Sequence, residues 1–187
     1  MRLKPETRIM GIDDGSFNKD DDETIIIGVI FRGGYWIDGL VSTYIKIDGM
    51  DATDNLIEMI TGCKYKDLRI IMLSGVTFGG FNVVDIERLS KETGLPVVVV
   101  IERKPDLEDI VNAVKNVHGQ EERIRCMERA GEVYMGENGI YFQVHGISED
   151  LARKVIRKTS THSNIPEPLR VSHIIASGIS RGEASKR

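Results

Sequence analysis

The sequence predicts an α/β fold in which helices flank a mixed β-sheet. Residues 7–13, 24–32 and 35–47 are strand-like and are joined by short turns, so these three strands should pair antiparallel. Two largely apolar strands, at 68–73 and 97–101, follow helical patterns, which is typical of parallel strands covered on both faces. The predicted order is therefore three antiparallel strands, then helix, strand, helix and strand.

The antiparallel part is indicated by its turns and by the pattern of its strands. The run TIIIGVIFR at 24–32 is rich in β-branched residues and follows a polar turn at 18–22. Gly33 and Gly34 are a tight-turn signal, after which residues 35–47 alternate between apolar and polar side chains. These features predict two long neighbouring strands.

Helical spacing begins after residue 50. Asp51 or Thr53 can cap a helix that runs to Gly62, and the stretch 79–94 carries a second helix that ends at Gly94. The remaining chain predicts a hairpin around Glu137-Asn138-Gly139 and four helices, near 106–117, 120–131, 148–159 and 168–179.

This order of elements is that of the ribonuclease H-like fold, in which the first and fourth strands lie side by side at the centre of the sheet. A carboxylate leaving the first strand should then lie near the residue that ends the fourth, which places Asp13 near Ser74. The chain has no internal repeat and no low-complexity linker, so we expect one domain over residues 1–187.

Composition excludes several classes of protein. The 187 residues carry a net charge of −4, so nothing overall demands nucleic acid or an anionic membrane as partner. The two cysteines lie outside any metal-binding spacing, which excludes the usual structural zinc site. The N-terminus lacks the apolar core of a signal peptide, and no apolar run is long enough to span a membrane. We expect a cytoplasmic protein without a membrane partner.

The charge is unevenly distributed along the chain. Residues 151–187 contain eight lysines and arginines but only two acidic residues. Such a basic segment could face the phosphates of DNA or RNA, although a solvated helix face explains it equally well. Within this segment Arg170 could contact an anion or could simply pair with Glu167.

The stretch RIMGIDDGSF, at 8–17, ends a strand-like run with two adjacent carboxylates. Burying an unpaired carboxylate is costly, so Asp13 and Asp14 require an explanation. One explanation is a turn in which at least one of them accepts hydrogen bonds from backbone amides. The other is a site at the ends of the strands, where the ligands of such sheets usually bind.

The stretch TFGGFN, at 77–82, is rich in glycine. Gly79, Gly80 and Asn82 could let the backbone approach a nucleic acid at a helix N-terminus, or could form a close-packing turn. Asp85 is most simply a favourable charge at the start of that helix. His173 lies on an apolar helix face, where a lone histidine is more often a packing residue than a ligand.

Several of these stretches resemble a known family. The first-strand motif of endonuclease V resembles GIDDGSF of this chain. Its fourth strand, with the loop, helix and strand that follow, resembles LSGVTFGGFNVVDIERLSKETGLPVVVV. Its C-terminal helix resembles NIPEPLRVSHIIASGI. MDAT, GGFNVVD and IPEPLRVSH are more similar still to the archaeal domain-of-unknown-function family ninety-nine, a distant relative of endonuclease V. The resemblance covers most of the chain.

The resemblance implies phosphodiester hydrolysis with Mg²⁺ or Mn²⁺ held by carboxylates from separate elements. Asp13 matches the first metal-binding Asp of endonuclease V, and His173 matches its late His/Asp position. The family's Glu after the third strand has no clear match, and its nearest candidates are Asp48, Asp51 and Asp54. The family's Asp at the end of the fourth strand falls on Ser74, a neutral hydroxyl that binds a hard cation far more weakly.

The expected site is therefore incomplete for two metal ions but conceivable for one. Our candidate catalytic residues are Asp13, Asp14, Asp48 and His173. Our candidate metal ligands are Asp13, Asp14 and Asp54, with Asp48 as the alternative to Asp54. Our candidate contacts to DNA or RNA are Gly79, Gly80, Asn82 and Arg170.

Two classes of function follow from these residues. The first is a metal-dependent nuclease or a related nucleic-acid-processing enzyme, and the second is a nucleic-acid- or protein-binding module that kept the fold and lost the reaction. The motif GIDDGS also resembles the phosphate loop of actin-like ATPases. We reject that class because no second Asp-x-Gly-Ser/Thr loop occurs.

Overall fold

The computed structural model describes residues 4–105, 112–115 and 117–183, which form a β-sheet with helices on both faces. The strands, in chain order, are β1 (Arg8–Asp14), β2 (Glu23–Arg32), β3 (Trp36–Lys46), β4 (Ile70–Ser74), β5 (Thr77–Phe78), β6 (Asn82–Val83), β7 (Val97–Ile101), β8 (Tyr134–Met135) and β9 (Tyr141–His145). The helices are α1 (Ala52–Gly62), α2 (Ile86–Thr93), α3 (Gln120–Arg129), α4 (Glu149–Thr159) and α5 (Glu167–Arg181), with a 3₁₀ turn at Glu137–Gly139.

The main sheet has the strand order β3-β2-β1-β4-β7-β9-β8. The first three strands pair antiparallel, whereas β1, β4 and β7 run parallel to one another. β9 returns antiparallel to β7, and β8 forms the hairpin partner of β9. The predicted pairing, the adjacency of the first and fourth strands, and the C-terminal hairpin are all present.

The two faces of the sheet bury separate apolar layers, because successive side chains of a strand point to opposite faces. Met10 and Ile12 of β1 pack with Leu56 of α1 and Leu89 of α2. On the opposite face, Ile9 of β1 joins side chains of α4 and α5. The helices predicted around 51–62, 120–131, 148–159 and 168–179 are present, with boundaries that shift by one or two residues.

The prediction for 79–94 is wrong at its start. Gly79 and Gly80 have φ angles of +50° and +83°, a left-handed conformation that an α-helix does not accommodate. They form the turn of a small β5–β6 hairpin, and α2 begins only at Ile86. Asp85 caps this helix by accepting a hydrogen bond of 3.0 Å from the Arg88 amide. The glycines therefore do not lie at a helix N-terminus.

The helix predicted near 106–117 lies mostly outside the described residues, which omit 106–111 and 116. Residues 112–114 are helical. Among the described residues, no helix combines the length and the apolar character needed to cross a bilayer.

Helix α5 lies unusually close to β1. An ideal Cβ built on Gly11 would lie 2.3 Å from the carbonyl carbon of Pro168, which is far inside van der Waals contact. At the other end of the contact, the Ser16 amide donates a hydrogen bond of 2.9 Å to the hydroxyl of Ser180. The helix therefore follows the strand over its whole C-terminal half, and only glycine at position 11 permits this approach.

We expect Gly11→Ala to destabilise the fold by about 1–3 kcal/mol, because the new methyl group meets backbone atoms that cannot rotate away. Gly62→Ala is the matched control. Gly62 ends α1 with nothing within 4 Å of the built Cβ, so this change should be neutral or stabilise by about 0.5–1 kcal/mol. Urea unfolding followed by circular dichroism measures both changes. Equal effects of the two substitutions would contradict the close packing of α5 on β1.

Candidate active site

The structure brings Asp13 and His173 together at the C-terminal end of β1. Asp13 is 2% exposed and points to the face covered by α5, where its Oδ2 lies 2.9 Å from Nδ1 of His173. Its Oδ1 accepts a hydrogen bond of 3.1 Å from the Asp14 amide. The close packing of α5 on β1 sets the position of the imidazole. The pair joins residues that are 160 positions apart in the chain.

The hydrogen bond between these two side chains determines which ring nitrogen of His173 carries the hydrogen. A carboxylate can only accept, so the Nδ1 of His173 must carry the hydrogen and donate it to Asp13. In the neutral ring the basic nitrogen is then Nε2, which lies 3.4 Å from the hydroxyl of Ser177. The pair therefore joins a buried carboxyl group to an imidazole whose Nε2 lies near the Ser177 hydroxyl.

Ser74 completes this end of the sheet. The register between the parallel strands pairs Ile12 with Leu73, so the next residues along, Asp13 and Ser74, are neighbours. Ile12 and Leu73 belong to the apolar layer on the α1 side of the sheet. Because successive side chains of a strand point to opposite faces, Asp13 and Ser74 both point to the α5 side. The predicted proximity of Asp13 and Ser74 is present.

Asp14 points to the opposite face, towards the β5–β6 hairpin. Its Oδ2 accepts a hydrogen bond of 2.7 Å from the amide of Gly79. Burial raises the pKa of Asp14 to about 6; the hydrogen bond from Gly79 opposes the rise, and the charge of Asp13 adds to it. Asp14 thus fastens the hairpin to the sheet and does not join the Asp13–His173 pair.

Asp48 is held by the same hairpin. Its Oδ1 accepts a hydrogen bond of 2.8 Å from the amide of Phe81, and its own amide donates to the carbonyl of Gly79. The amides at 79 and 81 are therefore occupied by the protein's own carboxylates. Gly79, a predicted contact to DNA or RNA, therefore has its amide bound to Asp14, and Asp48 holds the hairpin beside it.

Asn82, a further predicted contact to DNA or RNA, lies inside the protein. Asn82 is fully buried, and its Oδ1 accepts a hydrogen bond of 3.0 Å from the amide of Ala52, the first residue of α1. Its Nδ2 donates to the carbonyl of Lys46 and to the carboxylate of Asp51, at 2.9 and 2.6 Å. With all of these groups used, Asn82 connects the end of β3 to the start of α1.

Asp54 does not reach the site. Its carboxylate, 61% exposed, pairs with Arg88 of α2 at 2.6 Å on the outside of the protein. In the described ranges, no group of three or more His, Cys, Asp or Glu side chains is placed to hold a metal ion. The predicted ligand set of Asp13, Asp14 and Asp54 is therefore not assembled, because each of the three points in a different direction.

Arg170 follows the second of its two predicted alternatives and pairs with Glu167. Its Nε and Nη2 donate to the two carboxylate oxygens of Glu167 at 2.9 and 2.7 Å. Burial of Glu167 raises the pKa of its carboxyl, but the hydrogen bonds and charge of Arg170, together with His162, outweigh this and leave the pKa lowered. The pairing with Glu167 thus engages the Nε and Nη2 of this guanidinium.

Sequence reasoning missed Arg123, which is 2% exposed. Its guanidinium donates to the carbonyls of His118, Gly49, Asp48 and Phe81. Burial lowers the pKa of Arg123, and the nearby charge of Asp48 opposes that effect. In the sequence Arg123 is one of several charged residues in an exposed-looking helix, and no local pattern distinguishes it.

The raised pKa of Asp14 predicts a pH-dependent stability. The folded-state pKa of about 6 lies above the usual aspartate pKa of about 3.9, so this group stabilises the fold fully at low pH and loses that contribution as the pH rises through 6. We expect Asp14→Asn to be more stable than the wild type at pH 8, by up to about 3 kcal/mol, and the difference to vanish near pH 4. Urea unfolding in EDTA at each pH measures this.

Asp38→Asn is the control of opposite sign. Hydrogen bonds from Arg32 and Arg8 lower the pKa of Asp38, so the ionised carboxylate stabilises the fold at neutral pH. We therefore expect Asp38→Asn to be less stable than the wild type at pH 8, and the difference in stability to become smaller in acid. The same pH trend in both variants would contradict the assignment for Asp14.

Solved structures support the fold assignment. The crystal structure of a protein of unknown function from Archaeoglobus fulgidus matches with a TM-score of 0.88 and 42% identity, covering 94% of this chain and 99% of that one. Human endonuclease V matches with a TM-score of 0.62 and 18% identity, over 94% and 85% of the two chains. Endonuclease V of Ciona intestinalis, solved with DNA containing an inosine, gives 0.61 and 12%, over 94% and 84%. The predicted ribonuclease H-like fold is confirmed.

Sequence comparison gives the family. A UPF0215 protein of Methanopyrus kandleri is 46% identical over 189 residues, which cover 98% of this chain and 96% of the relative. A family model described as endonuclease dU matches residues 5–180. The predicted kinship with an archaeal family related to endonuclease V is confirmed, and the chain belongs to the endonuclease dU family.

Proposed function

We propose that this protein is an endonuclease that hydrolyses a phosphodiester bond in DNA, with Asp13 and His173 at the centre of its active site. The observation that carries the proposal is their 2.9 Å contact at the end of the central strands of a ribonuclease H-like sheet. The family description points to deoxyuridine as the nucleotide that marks the substrate. The likeness to endonuclease V in complex with DNA supports DNA as the partner.

The donor atoms beside this pair fit one hard divalent cation. Asp13 offers a carboxylate and Ser74 a hydroxyl, and Mg²⁺ and Mn²⁺ prefer oxygen ligands and keep several waters when few protein ligands are present. A two-metal site does not fit, because Asp14 and Asp48 lie at the β5–β6 hairpin and Asp54 lies on the surface with Arg88. A bound Mg²⁺ or Mn²⁺ would supply activation of water and charge stabilisation at the phosphate.

The protein's own residues have separate tasks in this proposal. Asp13 would hold the cation, and the Nδ1–H of His173 holds that carboxylate in one orientation. The Nε2 of His173 is the group able to accept a proton from water. The Arg170–Glu167 pair lies one turn earlier on α5 and holds the start of that helix.

A second function is favoured by the neutral residue Ser74 at the end of β4. Where endonuclease V has a carboxylate, this chain has a hydroxyl, and the described residues contain no group of three or more His, Cys, Asp or Glu side chains placed to hold a metal ion. A protein with this site could bind nucleic acid without cleaving it. The assay below separates the two functions.

The first test measures cleavage of double- and single-stranded DNA that contains one deoxyuridine or one inosine, beside the unmodified sequence, in Mn²⁺ or Mg²⁺. We expect cleavage of the deoxyuridine DNA, its loss in EDTA, and a rate at least about 100-fold lower in Asp13→Asn, the scale on which loss of a catalytic group acts. Asp54→Asn is the matched control, because Asp54 lies on the surface with Arg88. It should keep the wild-type rate.

Cleavage that persists unchanged in Asp13→Asn would exclude this site. Salt-sensitive DNA retention by the wild type without any cleavage would favour the binding function instead.

His173→Gln tests the second member of the pair. We expect cleavage to fall by about 10–100-fold, the usual effect of removing a group that orients a metal ligand, while DNA affinity measured without metal stays unchanged. An equal fall in both quantities would show that His173 acts through binding or folding and not through the reaction.

A further inference from the structure

The edge strand β3 exposes an unusual number of large apolar side chains. Ile37, Leu40 and Tyr44 are 54%, 52% and 58% exposed, and all three oppose residues of β2 that face α5. Trp36 and Tyr35 extend this surface at its start. Aromatic and aliphatic side chains clustered on an exposed surface are typical of protein interfaces.

The backbone of the same strand is open to pairing. The Ile47 amide donates a hydrogen bond to the carbonyl of Asp22, the residue before β2. Because backbone groups alternate in direction along an antiparallel strand, the odd-numbered residues from 41 to 47 direct theirs towards β2. The even-numbered residues from 40 to 46 direct theirs outwards. The outward amides and carbonyls of Leu40, Ser42 and Tyr44 have no partner in the part of the chain that the structure describes.

Both ends of this open edge are closed by side chains of the same protein. At one end, the carboxylate of Asp51 accepts a hydrogen bond from the amide of Lys46. The side chain of Asn82 donates a hydrogen bond to the carbonyl of the same lysine. At the other end the hydroxyl of Tyr65 donates to the carbonyl of Asp38 at 2.7 Å. The open edge therefore comprises residues 40–44, with Ser42 at its middle.

The open edge lacks the devices by which sheet edges usually avoid pairing. Residues 40–44 contain no proline and no charged side chain, and the irregularity in the β2–β3 pairing lies before them, at Ile30/Phe31. Two copies of this edge could therefore meet without bringing like charges together.

We propose that β3 pairs antiparallel with β3 of a second copy of this chain, about a two-fold axis at Ser42. A two-fold interface must be self-complementary, and this edge meets that condition because its open groups and its two large apolar side chains are placed symmetrically about Ser42. Leu40 lies opposite Tyr44 of the partner subunit, on the same face of the joined sheet. The two sheets then form one continuous sheet across the dimer.

The register can be tested with paired charges, since residues 40 and 44 of one chain are too far apart along a strand to interact with each other. In the double variant L40K/Y44K, like charges face each other across the axis. In L40E/Y44K, opposite charges face each other at the same positions. Both side chains are more than half exposed, so both variants should fold, which circular dichroism checks.

Analytical ultracentrifugation between about 1 and about 100 µM, the range of moderate affinities, measures the mass of each full-length protein. We expect the wild type at twice the chain mass of 20.9 kDa, L40K/Y44K at the mass of one chain, and L40E/Y44K again as a dimer. A wild type that stays monomeric throughout would overturn the proposal. A dimer that tolerates L40K/Y44K would overturn it as well, because the contact would then lie on another surface.

A disulfide gives an independent test of the axis. Opposite residues in a hydrogen-bonded antiparallel pair have Cα atoms about 5.5 Å apart, which a disulfide can bridge. Oxidised Ser42→Cys should therefore form a covalent dimer, whereas Thr43→Cys, whose side chain points to the other face, should not. The native Cys63 and Cys126 are buried and do not interfere. Equal cross-linking of both variants, or of neither, would contradict a two-fold axis at Ser42.

Discussion

The contact between Gly11 and Pro168 is the constraint on which the candidate site depends. Because position 11 has no side chain, the first turn of α5 rests directly on the backbone of β1. From that point the strand and the helix advance side by side, and the next side chain of β1 on this face, Asp13, meets the imidazole of His173. The site is thus the product of packing between the first strand and the last helix.

The pleat of β1 explains why two adjacent carboxylates have different environments. Neighbouring residues of a strand point to opposite faces, so Asp13 enters the α5 side and Asp14 the hairpin side. One carboxylate can serve chemistry while the other holds a loop. An acidic dipeptide that reads as one cluster in the sequence is therefore two separate features in the fold.

Much of the fold was predictable from the sequence, because its signals are local. Turn residues and apolar runs predicted the antiparallel and parallel pairs of the sheet, and element order placed Asp13 beside Ser74. Helix caps and C-terminal glycines predicted the helices, apart from the stretch at 79–85, where the left-handed glycines form a hairpin.

The side-chain partners were less predictable, because they join distant parts of the chain. Asp48, Asp54 and Asn82 have the residue types of a metal or nucleic-acid site, yet each is bonded to a segment more than 25 residues away. No spacing in the sequence reveals such pairs. His173 was singled out only through the family resemblance, since its partner Asp13 lies at the other end of the chain.

The buried guanidinium of Arg123 has a consequence for how this protein opens. One side chain holds the carbonyls of residues 48 and 49, 81, and 118, which belong to three separate stretches of chain. Each of these stretches loses at least one hydrogen bond to Arg123 when it moves out of place. We therefore expect the amide hydrogens of these three stretches to exchange with solvent as one cooperative unit. The β5–β6 hairpin, which is bound to Asp14, would then open only together with the other two stretches.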